Sequence, residues 1–450
     1  DTEVAGTTAV TSDNGSSTES LIVRFEPYGG GIGAQTADAG GPDIEDLKQH
    51  AEDARGSFED RFGSTGGGIS TASDTSSSAV TIKQEFWIAS AALVEVDTDQ
   101  VSRSELLDTP GVERVHENFE VSIADTATSK NSPAGNGVMS IAPQTRSNTA
   151  FQSETAGDDP TRAIEHINVP EVWSKYDQHG GGVRVAVIDT GVNPNHPDID
   201  IPDENDRWVC YADCSGNPDG PHDVDGHGTH VSGTIVGGGA NDKGIDIGVA
   251  PNATLMHAKG LGDDGSGTFT EVTNSMEWAV ENDADVLSMS LGWPKGTYLD
   301  AFVEPVQNAQ DAENGTIVIA ASGNDGPDPY SSTPGNVYDA TAVGSIDVEP
   351  DFGNFGVTDN DVSGFSNGEI VYDSDWSNAP SEWPDSYLVP DVVAPGSPIW
   401  SADTDINTKS HGGSGFETED LTYKSGTSMA TPHVAGVAAL MQAEAKSELT

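Results

Sequence analysis

Basic side chains are scarce in this chain. Lysine and arginine number 19 against 74 aspartates and glutamates, for a formal charge of −55 over 450 residues. That shortage leaves no basic patch for a phosphate backbone, so nucleic-acid binding is not expected. Cysteine is scarcer: Cys210 and Cys214, both in VCYADC, are the only two. A single C-x-x-x-C pair leaves a zinc site two ligands short. A local disulfide is expected in an oxidising compartment, and free thiols in a reducing one. Runs of about 18 apolar residues are absent, so no membrane-spanning helix is expected. A charged-plus-apolar leader is also missing, and the chain opens on Asp1 rather than Met, so any signal peptide is expected to have been removed already.

What the chain does have is acid, spread along its whole length. It carries roughly one net negative charge per eight residues, more than solubility needs. Self-repulsion at that density opposes the compact state in dilute buffer. Salt at 1 M shortens the screening length to roughly 3 Å and lifts the penalty. This is the pattern of a protein from a salt-saturated environment. An acidic partner for basic proteins would instead hold its charge in blocks.

The length allows two domains. Residues 1–19 are rich in Thr, Ser and Gly and read as a flexible segment. A small domain is expected over 20–124. SLIVRFEP reads as a strand, Asp43 to Gly63 as an acidic helix, and 63–79 as a Gly/Ser/Thr loop. VTIKQEFWIASAALVEV reads as two strands, TDQVSRSELLDT as a helix with a Thr/Asp cap, and VERVHENFEVSI as one final strand. Strand–helix–strand–strand–helix–strand is the order of a ferredoxin-like α/β sandwich. Residues 125–160 are polar and unpatterned, as in a linker open to proteolysis. From 161 to 450, apolar strands alternate with helices. Such strands belong to a parallel sheet buried on both faces, a doubly wound α/β domain with its chemistry at the carboxyl ends of the strands.

Four segments put reactive groups at strand ends or helix starts. VAVIDTGV places Asp189 after a strand, DGHGTHVSGT places His227 at a helix start, TIVIAASGN ends on Asn324, and GTSMATPHVAG supplies Ser428. Pro432 is tolerated only near a helix start, so the last helix should begin near Ser428, at the positive end of its dipole. Each residue has a plain alternative: a turn-forming Asp, a capping His or Ser, an Asn beside a glycine. Together, D-T-G, H-G-T-H-x-x-G-T and G-T-S-M-A-x-P-H-x-x-G, in this order over Ile164 to Lys446, resemble the subtilisin-like serine proteases, the subtilases.

The resemblance implies a peptidase. Ser428 would be the nucleophile, His227 its base, Asp189 the group that orients the imidazole, and Asn324 with the Ser428 N–H the oxyanion donors. It implies that substrate pairs as an added strand between Gly265–Ser266–Gly267 and Ser290–Leu291–Gly292. Asp325 corresponds to the rim of the specificity pocket and would favour a basic side chain. Asp198 and Asn241 would hold structural Ca²⁺, in a loop about two residues longer than the family pattern. The 20–124 domain would be the inhibitory propeptide, and the acidity would make the chain similar to secreted, halolysin-like subtilases. A monomer is expected. The end at Thr450, soon after the serine helix, suggests a fragment. The alternatives are a narrow-specificity processing subtilase, a binding protein on the same scaffold, for which a lost triad member or oxyanion Asn would be expected and none is lost here, and a metal hydrolase. The last is weak, because H-G-T-H lacks the spacing and the Glu of H-E-x-x-H. The charge makes its own prediction: the melting temperature should rise steeply between about 0.1 M and 3 M KCl. A flat profile would mean that the acidity serves another purpose.

Overall fold

The computed structural model describes residues 10–11, 17–29, 41–63, 79–123, 161–201, 206–214, 220–241, 244–293, 298–326, 329–348, 361–404 and 420–448. The expected linker at 125–160 and nearly all of the 63–79 loop lie outside them.

The first part of the chain builds a five-stranded antiparallel sheet, one strand of which is the two-residue Val10–Thr11. Its elements are β1 (Ser17–Phe25), α1 (Ile44–Phe62), β2 (Val80–Phe86), β3 (Ala91–Asp97), α2 (Arg103–Leu107) and β4 (Val112–Glu117). The strand order is β4-β1-β3-β2, the ferredoxin-like order expected. Asp43 caps α1 by accepting from the Glu45 N–H, and Gly63 ends it at φ +97°. Period-two alternation sorts β1: Leu21, Val23 and Phe25 pack against Phe58, while Ile22 faces the other way. There Ile22, Phe86 and Ile88 share a core with Phe269, Met276 and Phe302 of the larger domain.

Three expectations needed correction. The sheet starts earlier than residue 20: β1 begins at Ser17, and Val10–Thr11 pairs with it. Helix α2 is short, and its cap is Ser102 in a capping box with Glu105, not Thr98 or Asp99. The final strand is two strands. After β4, which pairs with β1, the chain turns at Asn118–Phe119 and continues as β5 (Glu120–Ile123), which leaves the small sheet. The break is made from outside: Phe269 N–H donates to the Phe119 carbonyl, and Thr270 donates its N–H and hydroxyl to Asn118 Oδ1.

The second domain is the doubly wound α/β fold. Its elements in order are β6 (Arg184–Asp189), β7 (Trp208–Cys210), α3 (His227–Val236), β8 (Thr254–Lys259), β9 (Ser266–Thr268), α4 (Phe269–Glu281), β10 (Val286–Met289), β11 (Leu291–Gly292), α5 (Val303–Asp311), β12 (Ile317–Ala321), β13 (Thr341–Asp347), β14 (Val392–Ser397) and α6 (Thr427–Glu448). Seven parallel strands run in the order β14-β13-β12-β10-β6-β8-β7. Both faces are buried. Ala186 and Ile188 pack with α4 and α5, while Val185 and Val187 pack with α3 and α6. The same parity puts Asp189 on the α3/α6 face, the one on which His227 and Ser428 begin their helices.

Strand β5 lies between the domains. It pairs antiparallel with β9 on one side and with β11 on the other. Phe119, just before it, contacts Phe269, Trp293 and Phe302 at ring separations of 5.2, 5.1 and 6.0 Å. Ion pairs Lys48–Glu281 (2.8 Å) and Arg114–Asp300 (3.1 Å) tie the small domain to α4 and to the turn before α5.

Candidate active site

Strand β6 delivers Asp189 fully buried at its carboxyl end. Helix α3 starts at His227, and its Nδ1 lies 2.7 Å from Asp189 Oδ1. Thr190 N–H donates to the same oxygen at 2.7 Å. Burial pushes the Asp189 carboxyl up, but His227 and these hydrogen bonds outweigh it and hold the group below its usual value. Burial also lowers His227, yet the Asp189 carboxylate prevails and holds the imidazole above its ordinary value. The carboxylate accepts from Nδ1, so the ring proton is fixed there and Nε2 is left as the basic nitrogen.

Sequence reasoning missed the supports. Asp223 accepts from Thr190 Oγ1 and Gly226 N–H with one oxygen, and from Thr229 N–H and Oγ1 with the other. It therefore caps α3 and braces the turn after Asp189 together. Lys259, fully buried, donates to the Thr190 carbonyl at 2.6 Å and the Leu261 carbonyl at 3.1 Å, and pairs with Asp263 at 3.0 Å. The Asp four residues before His227 was the one available signal; nothing local marks Lys259. Gly228 must be glycine, since a Cβ there would lie 2.1 Å from the Gly191 carbonyl oxygen.

Ser428 is buried in the first turn of α6. Pro432 has no N–H to give the carbonyl four residues back, which belongs to Ser428. That carbonyl accepts the Ser290 hydroxyl instead, at 2.8 Å. The Ser428 hydroxyl donates to the Ser290 carbonyl at 3.2 Å, so the two serines are held face to face. His227 Nε2 is buried without a hydrogen-bond partner. Asn324 Oδ1 accepts from Thr427 N–H and Oγ1 at 2.8 and 2.9 Å. A backbone N–H can only donate, so Oδ1 is the end turned to Thr427 and the NH₂ group is the opposite end of the amide. Gly323, at φ +108°, makes the turn before it, and any Cβ would strike Ser332 Oγ at 2.4 Å.

Gly265, Ser266 and Gly267 line one side of β5, and Leu291 and Gly292 the other. Asp198 and Asn241 also come together: Asn241 Nδ2 donates to Asp198 Oδ2 and to the Ile245 carbonyl, each at 2.7 Å. Carboxylate, amide and carbonyl oxygens are the hard ligands Ca²⁺ takes; here Asp198 Oδ1 accepts from the Ala240 and Asn241 N–H groups and Asn241 Oδ1 from the Ile245 N–H. No group of three acidic, His or Cys side chains able to hold a metal occurs among the described residues. Asp325 stands beside Asn324 and is half-buried. Cys210 and Cys214 form a disulfide. His230 turns to the Ile399 carbonyl at 3.1 Å, away from Asp189, which removes the metal-hydrolase reading.

A family model, that of the subtilases, matches residues 180–450. The chain belongs to the subtilase family of serine peptidases. It is 35% identical over 285 residues to the major intracellular serine protease of Bacillus subtilis (strain 168), which spans 62% of this chain and 74% of that protein. With thermitase of Thermoactinomyces vulgaris it shares 32% identity over 283 residues, 63% of this chain and 82% of the relative. With subtilisin E of B. subtilis (strain 168) the figures are 34% over 284 residues, 62% and 60%. No described helix of this subtilase is long and apolar enough to cross a membrane.

The raised His227 gives a pH prediction. As the proposed base, His227 must be neutral, so activity would be present above its raised pKa and lost as pH falls through it. Asp189→Asn removes the charge that raises it. The acid limb of kcat should move to lower pH, while kcat itself falls about 10⁴-fold. An unmoved limb in the pH–rate profile would show that Asp189 does not set the imidazole pKa.

Proposed function

We propose that the chain is a secreted, salt-adapted endopeptidase made as a self-processing zymogen. The observation that carries this reading is the conjunction of the 2.7 Å Asp189–His227 contact with Ser428 at a helix N-terminus beside a strand laid in antiparallel pairing on both sides. In the proposed mechanism, His227 Nε2 takes the Ser428 Oγ proton as the hydroxyl attacks a peptide carbonyl. Asn324 Nδ2 and the Ser428 N–H receive the charge that develops on the carbonyl oxygen. Losing one such donor typically costs about 10²–10³ in turnover. The imidazolium then gives its proton to the leaving amine, and water repeats the cycle on the ester.

The small domain acts as an intramolecular inhibitor in this reading, because β5 already fills the groove a substrate strand would use. The disulfide suits an oxidising compartment, and the charge of −55 suits high salt. Substrates are polypeptides, and the working unit is a monomer. The broad-specificity reading is preferred to a narrow processing one because no acidic cluster beyond the chain's general acidity marks the strands around β5.

Ser428→Ala should abolish peptidase activity and labelling by a serine-directed phosphonylating reagent, leaving the precursor uncut on a gel. Activity near wild type in that variant would end the serine-peptidase reading.

Ca²⁺ would be held by Asp198, Asn241 and the Ile245 carbonyl, where its part is to stabilise the loop after α3 rather than to enter the reaction. Chelation should lower the melting temperature of the wild type. It should leave Asp198→Asn, already destabilised, nearly unchanged. Equal responses to chelator in both would remove this site from the proposal.

A further inference from the structure

The disulfide lies at the sheet edge beside β9, and its contacts run into the turn that feeds that strand. Cys210 ends β7, where it pairs with Lys259 at the end of β8. Beyond it, the Tyr211 and Ala212 N–H groups both donate to the Lys259 carbonyl, at 2.9 and 3.0 Å. Asp213 then takes up φ +51°, a left-handed conformation that aspartate visits more readily than most residues. From there Asp213 Oδ2 accepts the Asp263 N–H at 2.9 Å. The carboxylate lies over Gly262, where any Cβ would strike it.

Asp263 belongs to the turn that leads into β9. Gly262 N–H donates to the Ser266 carbonyl at 2.7 Å and Gly265 N–H to the Gly262 carbonyl at 3.1 Å, which closes the turn on itself. The Asp263 side chain is held separately, by Lys259 Nζ at 3.0 Å. The turn is thus fastened by its backbone through Asp213 and by its side chain through Lys259. It carries the Gly265 carbonyl that accepts from Ile123, and β9 follows with the residues that pair with Ser122 and Val121.

We propose that the Cys210–Cys214 loop positions β9 for extended peptides, with Asp213 as the positioning residue. This rests on the reading that a substrate strand takes the place of β5. The size of the loop supports a local part for the disulfide. Its cysteines are four positions apart, and a crosslink stabilises a fold less the shorter the loop it closes. What it does here is hold Asp213 in a backbone conformation that an open chain leaves readily, since Asp213 is exposed and buries no apolar group. With the loop open, the Asp263 N–H loses its acceptor and the turn loses its backbone tie. Asp189, His227 and Ser428 stand on β6, α3 and α6. The chemistry therefore continues while the hold on a long substrate weakens.

The test is steady-state kinetics of the enzyme made from the full chain in high salt, on two peptides with the same leaving group. The short one ends near Ser428, and the long one reaches far enough to pair along β9. Asp213→Ala and the double variant Cys210→Ser/Cys214→Ser should each raise KM for the long peptide roughly 3–10-fold, the equivalent of one lost hydrogen bond. Their kcat, and their kinetics on the short peptide, should stay within about twofold of wild type. Combining them should add nothing further, because both remove the same contact. Asp213→Asn keeps an acceptor oxygen and should restore the wild-type KM. An unchanged KM, equal losses on both peptides, additive effects, or an Asp213→Asn variant as weak as Asp213→Ala overturns the assignment. A wild type whose KM is no lower for the long peptide than for the short one removes strand pairing at β9, and the assignment falls with it.

Discussion

A carboxylate without water is the constraint on which the site depends. Asp189 is fully buried, and an isolated charge there would cost several kcal/mol. Two donors within 2.7 Å, Thr190 N–H and His227 Nδ1, make the charge tolerable. Their own positions are secured by Asp223, which grips the Thr190 hydroxyl and the first turn of α3, and by Lys259, which grips the Thr190 carbonyl. The triad is therefore the inner end of a polar network that runs back to β8. Such a network is most valuable when its members are satisfied; here both donors go to Asp189 Oδ1, and Oδ2 is buried without a hydrogen-bond partner.

The Ser428 hydroxyl and the His227 imidazole are not hydrogen-bonded to each other. Ser428 donates to the Ser290 carbonyl, and His227 Nε2 has no partner. The two parts of the proton relay are in place but not joined. A Ser–His hydrogen bond that tightens only when substrate is bound is common in unliganded enzymes. Here the Ser290 carbonyl is the group that a substrate N–H would claim. In the proposed mechanism a substrate N–H would compete with the Ser428 hydroxyl for this carbonyl, which would favour the imidazole as the hydroxyl's partner.

Much of this was legible in the sequence, and what was not has a common cause. D-T-G, H-G-T-H and G-T-S-M-A-x-P located Asp189, His227 and Ser428 because turn glycines and a helix-starting proline are local demands. The apolar run in SLIVRFEP located the body of β1, though not its start at Ser17, for the same reason. The break at Asn118–Phe119 was illegible: HENFEVSI keeps a strand's pattern throughout, and the groups that end the pairing, Phe269 and Thr270, stand about 150 residues later. Lys259 was illegible too. A lysine after LMHA reads as a strand leaving the core, yet the fold buries it completely and spends one of few cations on two carbonyls. Long-range partners decide such positions, and the local pattern carries no trace of them.

The same distinction decides how the chain can bear its charge. Between exposed acids, repulsion acts through solvent and is largely removed when the screening length falls to roughly 3 Å at 1 M salt. Salt also removes what exposed pairs such as Lys83–Glu95 contribute, which is about 0–1 kcal/mol each. The Asp189–His227 contact and the carbonyl contacts of Lys259 are sealed from solvent, where mobile ions do not reach. Salt therefore relieves the surface without loosening the site. Under the proposed salt adaptation, weak surface pairs would be exchanged for screening, while the buried Asp189–His227 and Lys259 contacts would be the part that does not change.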